Sequence, residues 1–237
     1  MSKSTSYDRT RILRERWSSY LAFAETHGSS HWIFRGVADA SNHTLKPKIG
    51  RDAKRYSEQI EKALFASFRR RSRQFFPQTL NDWELLALAQ HHGLPTRLLD
   101  WSRNPLVALY FAISSKPQDA TARVYAYQAT NLTSTEDAAS PFDVLSVCTF
   151  LPAAIAPRIV AQHGLFTVHP DPTLDLVPML DLRKHTFDIQ QNERQYFERR
   201  LFDLGFDASF IMADLDGVCQ SLDWRFRRGV AVGSFSY

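Results

Sequence analysis

The sequence predicts a single α+β domain, with a mixed β-sheet core flanked by several helices. Three observations favour this class. The chain has 237 residues, a length that suits one large domain. Hydrophobic residues make up 44% and charged residues 23%, as in packed globular proteins. Helical and strand-like segments alternate irregularly, without the steady βαβ rhythm of a doubly wound sheet.

The N-terminal part is predicted to be helix, strand and helix. Residues 8–27 form the first helix, because apolar residues such as Trp17 and Tyr20 recur at helical spacing. The segment HWIFRG, 31–36, is predicted to be a short strand that ends at its glycine. A long amphipathic helix follows over 54–76. Its apolar stripe is expected to contain Ile60, Leu64, Phe68 and Phe75.

Capping residues define two helices in the middle of the chain. Asn81 or Asp82 is expected to cap a helix that Gly93 ends. Asn104 precedes Pro105, which suits the first position of a helix over 105–115. The segment between them, LPTRLLDWS, is expected to be extended. Further strands are predicted at 122–129, 143–150 and 165–169, and further helices at 194–204 and 213–224.

Composition limits the class of protein. No run approaches the ~18 apolar residues that span a bilayer, and the first residues contain no apolar signal core. The two cysteines give no disulfide framework and no zinc-site spacing. We therefore expect a cytoplasmic protein without a membrane partner. Residues 1–76 contain 16 Lys and Arg against 7 Asp and Glu, which favours an anionic partner or a solvated helix face.

The segment 84–112, ELLALAQHHGLPTRLLDWSRNPLVALYFA, combines apolar residues with polar groups that need partners. Arg97 and Asp100 are expected to pair with each other or with neighbours and to hold the turn. Alternatively, Asp100, Trp101 and Ser102 line a cleft beside the N-terminus of the helix over 105–115, where free N–H groups suit phosphate. Both interpretations stay open. A metal site at His91 and His92 is disfavoured, because adjacent helical residues point about 100° apart.

Four segments resemble the FRG domain family, named for a Phe-Arg-Gly segment. They are WIFRG, LALAQHHGLPTRLLDWSRNPLVALYFA, RIVAQHGLFTVHP and ADLDGVCQSL. The resemblance implies an FRG domain over 30–223. It leaves residues 1–29 as an N-terminal helix packed on that domain and residues 224–237 as a C-terminal tail or strand.

A second resemblance is to the ADP-ribosyltransferases. Phe34-Arg35-Gly36 is similar to their first motif, and Ser102 stands where their Ser-Thr-Ser strand ends. The resemblance implies an ADP-ribosyltransferase-like fold and NAD as a substrate, with no metal. It implies that Arg35 binds the diphosphate, Ser102 positions the ribose and Gln162 lies near the scissile bond. Phe34, Gly36, Asp100, Trp101 and Tyr110 complete the implied cofactor-binding set.

The chain differs from the ADP-ribosyltransferases at their catalytic carboxylate. Such enzymes have a late Glu that stabilises the oxocarbenium-like transition state, and Gln162 takes its place here. Glu193 or Glu198 could substitute in space, or belong to a solvated helix face. By analogy the activity implies a toxin or a phage-defence enzyme acting on a macromolecule.

The basic segment RRRSRQFF, 69–76, supports an alternative function. Arg69, Arg70, Arg71 and Arg73 could bind a nucleic-acid backbone or an acidic protein, with a neighbouring phenylalanine stacking on a base. The chain would then be a non-catalytic binding or regulatory module. A charged helix end with inward-packed phenylalanines explains the same pattern. A nuclease that uses His91, His92 and Asp100 is the least favoured alternative, because the carboxylates for two metals are missing.

Overall fold

A single antiparallel sheet organises the computed structural model, which describes residues 2–29, 31–75, 80–129, 140–152 and 161–230. Its strands are β1 (Trp32–Val37), β2 (Leu98–Ser102), β3 (Ala122–Gln128), β4 (Cys148–Phe150), β5 (Gly164–Val168) and β6 (Thr186–Ile189). They lie in the order β4-β5-β2-β1-β3-β6, and every pairing among the described residues is antiparallel. The predicted α+β class is confirmed. The sheet is antiparallel rather than mixed, and residue patterns could not indicate this because they do not encode the relative direction of neighbouring strands.

Seven helices surround the sheet in the described part of the chain. They are α1 (Ser2–Thr26), α2 (Glu58–Ser72), α3 (Asp82–His91), α4 (Pro105–Ser114), α5 (Arg194–Asp203), α6 (Ala208–Met212) and α7 (Leu215–Arg228). Short 3₁₀ turns lie at Lys48–Gly50 and Val177–Met179. None of the described helices is both long enough and apolar enough to cross a membrane.

Several predicted boundaries differ from the observed ones. The last helix continues to Arg228, beyond the predicted end at Trp224, and so enters the segment expected to be a tail or strand. Residues 231–237, which belong to the expected tail or strand, lie outside the described residues. The strand predicted over 143–150 is reduced to Cys148–Phe150.

The N-terminal helix α1 packs on the domain through its aromatic residues. Trp17 and Tyr20 are buried in one core cluster with Leu109 of α4 and with Phe197 of α5. The Tyr20 hydroxyl donates a hydrogen bond of 2.5 Å to the Pro105 carbonyl oxygen, which ties α1 to the start of α4. The predicted stripe of α1 therefore faces the core at these two positions.

The predicted apolar stripe of α2 is wrong except at Phe68, which packs against a core cluster. Ile60, Leu64 and Phe75 are exposed, whereas Glu61 and Phe65 are buried. A charged residue can take this inward position because the buried Arg97 guanidinium binds the Glu61 carboxylate, with 2.8 Å between Nη2 and Oε2. Arg97 therefore pairs with Glu61 and not with Asp100.

Gly36 brings β1 and α4 into close approach. A Cβ atom at this position would lie 1.9 Å from the Ala108 carbonyl oxygen and 2.6 Å from the Ala112 amide nitrogen. Only a glycine lets the helix backbone rest on the strand at this distance. The contact places α4 directly beside the point where β1 and β2 meet.

Candidate functional site

A cleft opens where β1 and β2 separate. These strands share only the Phe34–Ser102 pair, although β1 pairs with β3 at six positions and β2 with β5 at five. The space between them, bounded by α3 and α4, has a volume of about 350 Å³. The polar side chains that line this Arg35 cleft are Arg35, Gln90, His91, Asp100, Ser102, Ser115 and Gln162. The volume is in the range of small-molecule sites.

Arg35 lines the cleft, and its side chain is 17% exposed. Its Nη1 donates a hydrogen bond of 2.6 Å to the Asp100 carbonyl oxygen and lies 3.7 Å from the Asp100 carboxylate. Its Nε is buried and has no hydrogen-bond partner. Burial lowers the pKa of Arg35; the Asp100 carboxylate opposes this effect and the Arg51 guanidinium adds to it. Arg35 is therefore a desolvated cation that borders the cleft, and its buried Nε is a donor without an acceptor.

Asp100 is the carboxylate that lines the cleft, and its side chain is 57% exposed. Gln90 Nε2 donates a hydrogen bond of 3.0 Å to its Oδ2. The Thr96 hydroxyl accepts from the Leu98 amide and donates to Gln90 Oε1 at 2.6 Å. This chain of bonds fixes the orientation of the Gln90 amide, so that its NH₂ group faces Asp100. Sequence reasoning missed Gln90 and Thr96, because no pattern separates them from other polar residues beside a turn.

Ser102 lines the cleft as predicted, but its hydroxyl already has two partners. Its Oγ donates to the Gln162 carbonyl oxygen at 2.6 Å and accepts from the Asn104 amide at 3.0 Å. The Asn104 side chain in turn accepts from the Leu106 amide and caps α4. Ser102 therefore joins the start of α4 to the segment before β5, and part of the helix N-terminus is already capped.

Gln162 also borders the cleft, as Arg35 and Ser102 do. Its side-chain amide points towards α6, where Nε2 donates a hydrogen bond of 3.0 Å to the Ile211 carbonyl oxygen. The two glutamates considered as substitutes do not line the cleft. Glu193 is buried against Arg16, and Glu198 pairs with Arg228 at 2.9 Å.

The predicted aromatic residues have other roles. Phe34 borders the cleft but is 2% exposed and belongs to the core. Trp101 also borders it, but its indole is buried and donates to Thr167 Oγ1 at 2.9 Å. Tyr110 lines a separate cavity between α4, α5 and α7. Phe111, and not Tyr110, is the aromatic residue of α4 that lines the cleft. It lies on the same helix face as Val107 and Ala108, which also line the cleft.

His169 lies on the opposite side of the sheet from Asp100, immediately after β5. It is 2% exposed, and its Nε2 lies 3.0 Å from Thr167 Oγ1. Burial lowers the pKa of His169 to about 4, and the positive charge of Arg35 contributes. Sequence reasoning did not identify this residue.

The basic segment begins in the last turn of α2, which ends at Ser72, and Arg73 and Phe75 follow the helix. Arg69 forms an ion pair with Asp82, and its guanidinium lies 4.9 Å from the centre of the Phe65 ring. Arg70, Arg71 and Arg73 are exposed, as is Phe75, at 70%. Phe76 lies outside the described residues. The interpretation with inward-packed phenylalanines therefore does not hold for Phe75.

The two adjacent histidines at the end of α3 contact each other edge to face, with 5.1 Å between ring centres. His91 borders the cleft. Within the residues that the structure describes, no group of three or more His, Cys, Asp and Glu side chains is arranged to hold a metal ion.

The fold and the cleft define an α+β domain in which an arginine on an early strand and an aspartate on its neighbour share one cleft. Residues 30–121 match the family model of the FRG domain, so the chain contains an FRG domain. The match includes Arg35, Asp100, Ser102 and the helices α2 to α4, and it ends before Gln162. Searches of curated proteins and of solved structures gave no significant match.

Proposed function

We propose that the Arg35 cleft binds NAD and that the chain transfers ADP-ribose from it to a macromolecule. The unpartnered Nε of Arg35 carries this proposal. A buried donor without an acceptor costs about 1–3 kcal/mol, and a side-chain rotation that turns this Nε into the cleft to bind a diphosphate would recover this cost. Gly36, which follows Arg35, also borders the cleft, but the α4 backbone occupies the space that its missing side chain leaves.

The chemistry needs few protein groups. The bond between ribose C1′ and the nicotinamide nitrogen breaks, and both electrons leave with nicotinamide. Because the pyridinium departs as a neutral ring, no general acid is required. An acceptor nucleophile then bonds to C1′ and loses its proton. The demanding requirement is stabilisation of the cationic, oxocarbenium-like transition state.

Asp100 is suited to this requirement. It is a carboxylate that borders the cleft, and Gln90 holds its orientation. Gln162 borders the cleft but carries no charge, and its amide is bound to the Ile211 carbonyl oxygen. We therefore assign the stabilising role to Asp100, Gln162 to the rim of the cleft, and Ser102 to positioning. Transfer to a cellular macromolecule would suit the toxin or phage-defence role that the resemblance implies.

The test is incubation of the purified protein with NAD labelled in its adenylate part, together with cell extract. We expect labelled macromolecules with the wild-type chain. Asp100→Asn keeps the shape of the cleft and should lower the rate of transfer by about 10²–10³-fold. Asp119→Asn, a change of an exposed aspartate that does not line the cleft, is the matched control. Absence of labelling and of free nicotinamide with the wild-type chain would contradict the proposed transfer.

A second candidate function is nucleic-acid binding by the end of α2. The exposure of Phe75 beside Arg70, Arg71 and Arg73 favours it, because an exposed ring can stack on a base while arginines bind phosphates. Its discriminating property is affinity for RNA or DNA that falls as salt rises, without NAD. Phe75→Ala with Arg71→Ala should then weaken binding to a single-stranded oligonucleotide. No binding at low salt would rule it out.

A further inference from the structure

The last helix exposes an apolar stripe to solvent. Leu215, Val218, Leu222 and Phe226 are 76%, 40%, 55% and 75% exposed. Their spacing places them on one side of α7, together with the exposed Cys219. A regular stripe of this kind on a folded domain marks an interaction surface.

The opposite side of α7 is the one that packs on the domain. A Cβ at Gly217 would lie 2.5 Å from the Ala208 carbonyl oxygen, so this side rests on α6. The Trp224 ring stacks on Phe202 at 4.7 Å, and Arg228 pairs with Glu198. These contacts fix the rotation of α7, and the apolar stripe cannot turn inward without breaking them.

The charges of α7 are separated along its length. Asp214, the N-cap, and Asp216 lie at its start, and Arg225, Arg227 and Arg228 lie at its end, where Asp223 is the one acidic residue. An antiparallel copy of the same helix would place the acidic start of each against the basic end of the other. We propose that α7 pairs with α7 of a second copy of this chain about a twofold axis, with the stripe at the centre.

The flanks of the stripe agree with this orientation. At about 100° per residue, Asp216 and Arg227 lie on one flank of the stripe. On the other flank, Asp214 accepts a hydrogen bond from the Gly217 amide and Arg225 lies over the Phe202 ring. In an antiparallel pair each flank faces the same flank of the second copy, so Asp216 of each copy meets Arg227 of the other. Arg227 now pairs with Asp223 on the surface, an interaction weak enough to exchange.

The neighbouring surface extends the proposed interface. Phe210 of α6 is 40% exposed and borders a groove with Val218 and Leu222. This apolar area lies beside the stripe rather than over the Arg35 cleft, whose lining includes no residue of α7. The proposed pairing is therefore independent of NAD binding.

The first test is sedimentation velocity of the full chain over micromolar concentrations. We expect the mass to rise with concentration from 27.2 kDa towards twice that value. Leu222→Glu should hold the protein at the monomer mass. Leu174→Glu alters an equally accessible leucine, 64% exposed and outside α7, and should leave dimerisation unchanged. A wild-type monomer at every concentration overturns the proposal, as does a dimer that Leu222→Glu leaves intact.

The second test addresses orientation. Asp216→Arg and Arg227→Asp should each weaken the dimer, and the double variant should restore it, because the swapped charges meet again across the interface. A short bis-maleimide linker should cross-link Cys219 near the twofold axis, and Cys219→Ser should abolish the product, since Cys148 is buried. Failure of the double variant to recover the dimer overturns the antiparallel arrangement.

Discussion

Removal of the Glu61 carboxylate should destabilise the domain more than most single changes. Glu61 accepts three hydrogen bonds from Arg97, from the amide at 3.0 Å, Nε at 3.2 Å and Nη2 at 2.8 Å. The two side chains are 2% and 1% exposed. In Glu61→Ala the guanidinium would keep only the Phe142 carbonyl oxygen at 3.4 Å and the Phe142 ring at 4.8 Å.

Breaking a buried pair on one side costs about 3–5 kcal/mol, because the remaining charge stays desolvated. For a chain of this size each kcal/mol lowers the melting temperature by about 2–4 °C, so a fall of roughly 6–20 °C is expected. Urea unfolding followed by circular dichroism measures the loss in free energy of unfolding, and thermal unfolding measures the fall in melting temperature. Glu58→Ala on the same helix removes only an exposed partner of Lys62 and is the matched control.

The double variant Glu61→Leu, Arg97→Met distinguishes charge burial from loss of packing. With both charges removed, most of the lost stability should return, because no charge remains without a partner. A free energy of unfolding within about 1 kcal/mol of the wild type in Glu61→Ala would refute the reasoning.

Three further predictions concern the core around the cleft. Gly36→Ala should lower the free energy of unfolding by at least about 3 kcal/mol in a urea titration, because its Cβ would overlap the α4 backbone; an unchanged midpoint would contradict the close approach. Tyr20→Phe should cost about 1–3 kcal/mol by the same assay, since the Pro105 carbonyl oxygen loses its donor. His169 has its pKa lowered to about 4, so below pH ~6.5 the unfolded chain binds a proton that the native state does not. The free energy of unfolding should therefore fall by up to about 3 kcal/mol as the pH is lowered from ~6.5 to 4, and His169→Gln should reduce this pH dependence. An unchanged pH dependence in His169→Gln would show that other groups cause the loss of stability.

The parts of the fold that were predictable have strong local signals. Asn81 and Asn104 both cap the helices that they were expected to begin, and Pro105 occupies the first position of α4. By contrast β6 and α6 contain four and five residues, which is too short for a hydrophobic period to appear. The inward face of α2 was misassigned because its buried Glu61 depends on Arg97, which is 36 residues away.

Part of the candidate site was predictable, because several residues of the sequence motifs line the observed cleft. Arg35, Asp100, Ser102 and Gln162 all border it. The sequence could not predict which polar atoms of these residues lack a hydrogen-bond partner, because their partners come from distant segments of the chain. The Ser102 hydroxyl and the Gln162 amide are engaged by backbone carbonyl oxygens, whereas Arg35 Nε has no hydrogen-bond partner. Tyr110 was assigned to the cleft in place of its neighbour Phe111, because the rotation of α4 is set by the contact with Gly36.

The central proposal is that Arg35 and its cleft recognise NAD. Isothermal titration of NAD into the full chain tests it most directly, with Arg35→Lys as the key variant and Arg183→Lys, an exposed residue outside the cleft, as the control. Lysine keeps the positive charge but loses the fork that binds two phosphate oxygens. The account predicts saturable binding to the wild type and to the control, and binding weakened by about tenfold or more in Arg35→Lys. No heat of binding to the wild type at millimolar NAD, or equal affinity in Arg35→Lys, would contradict it.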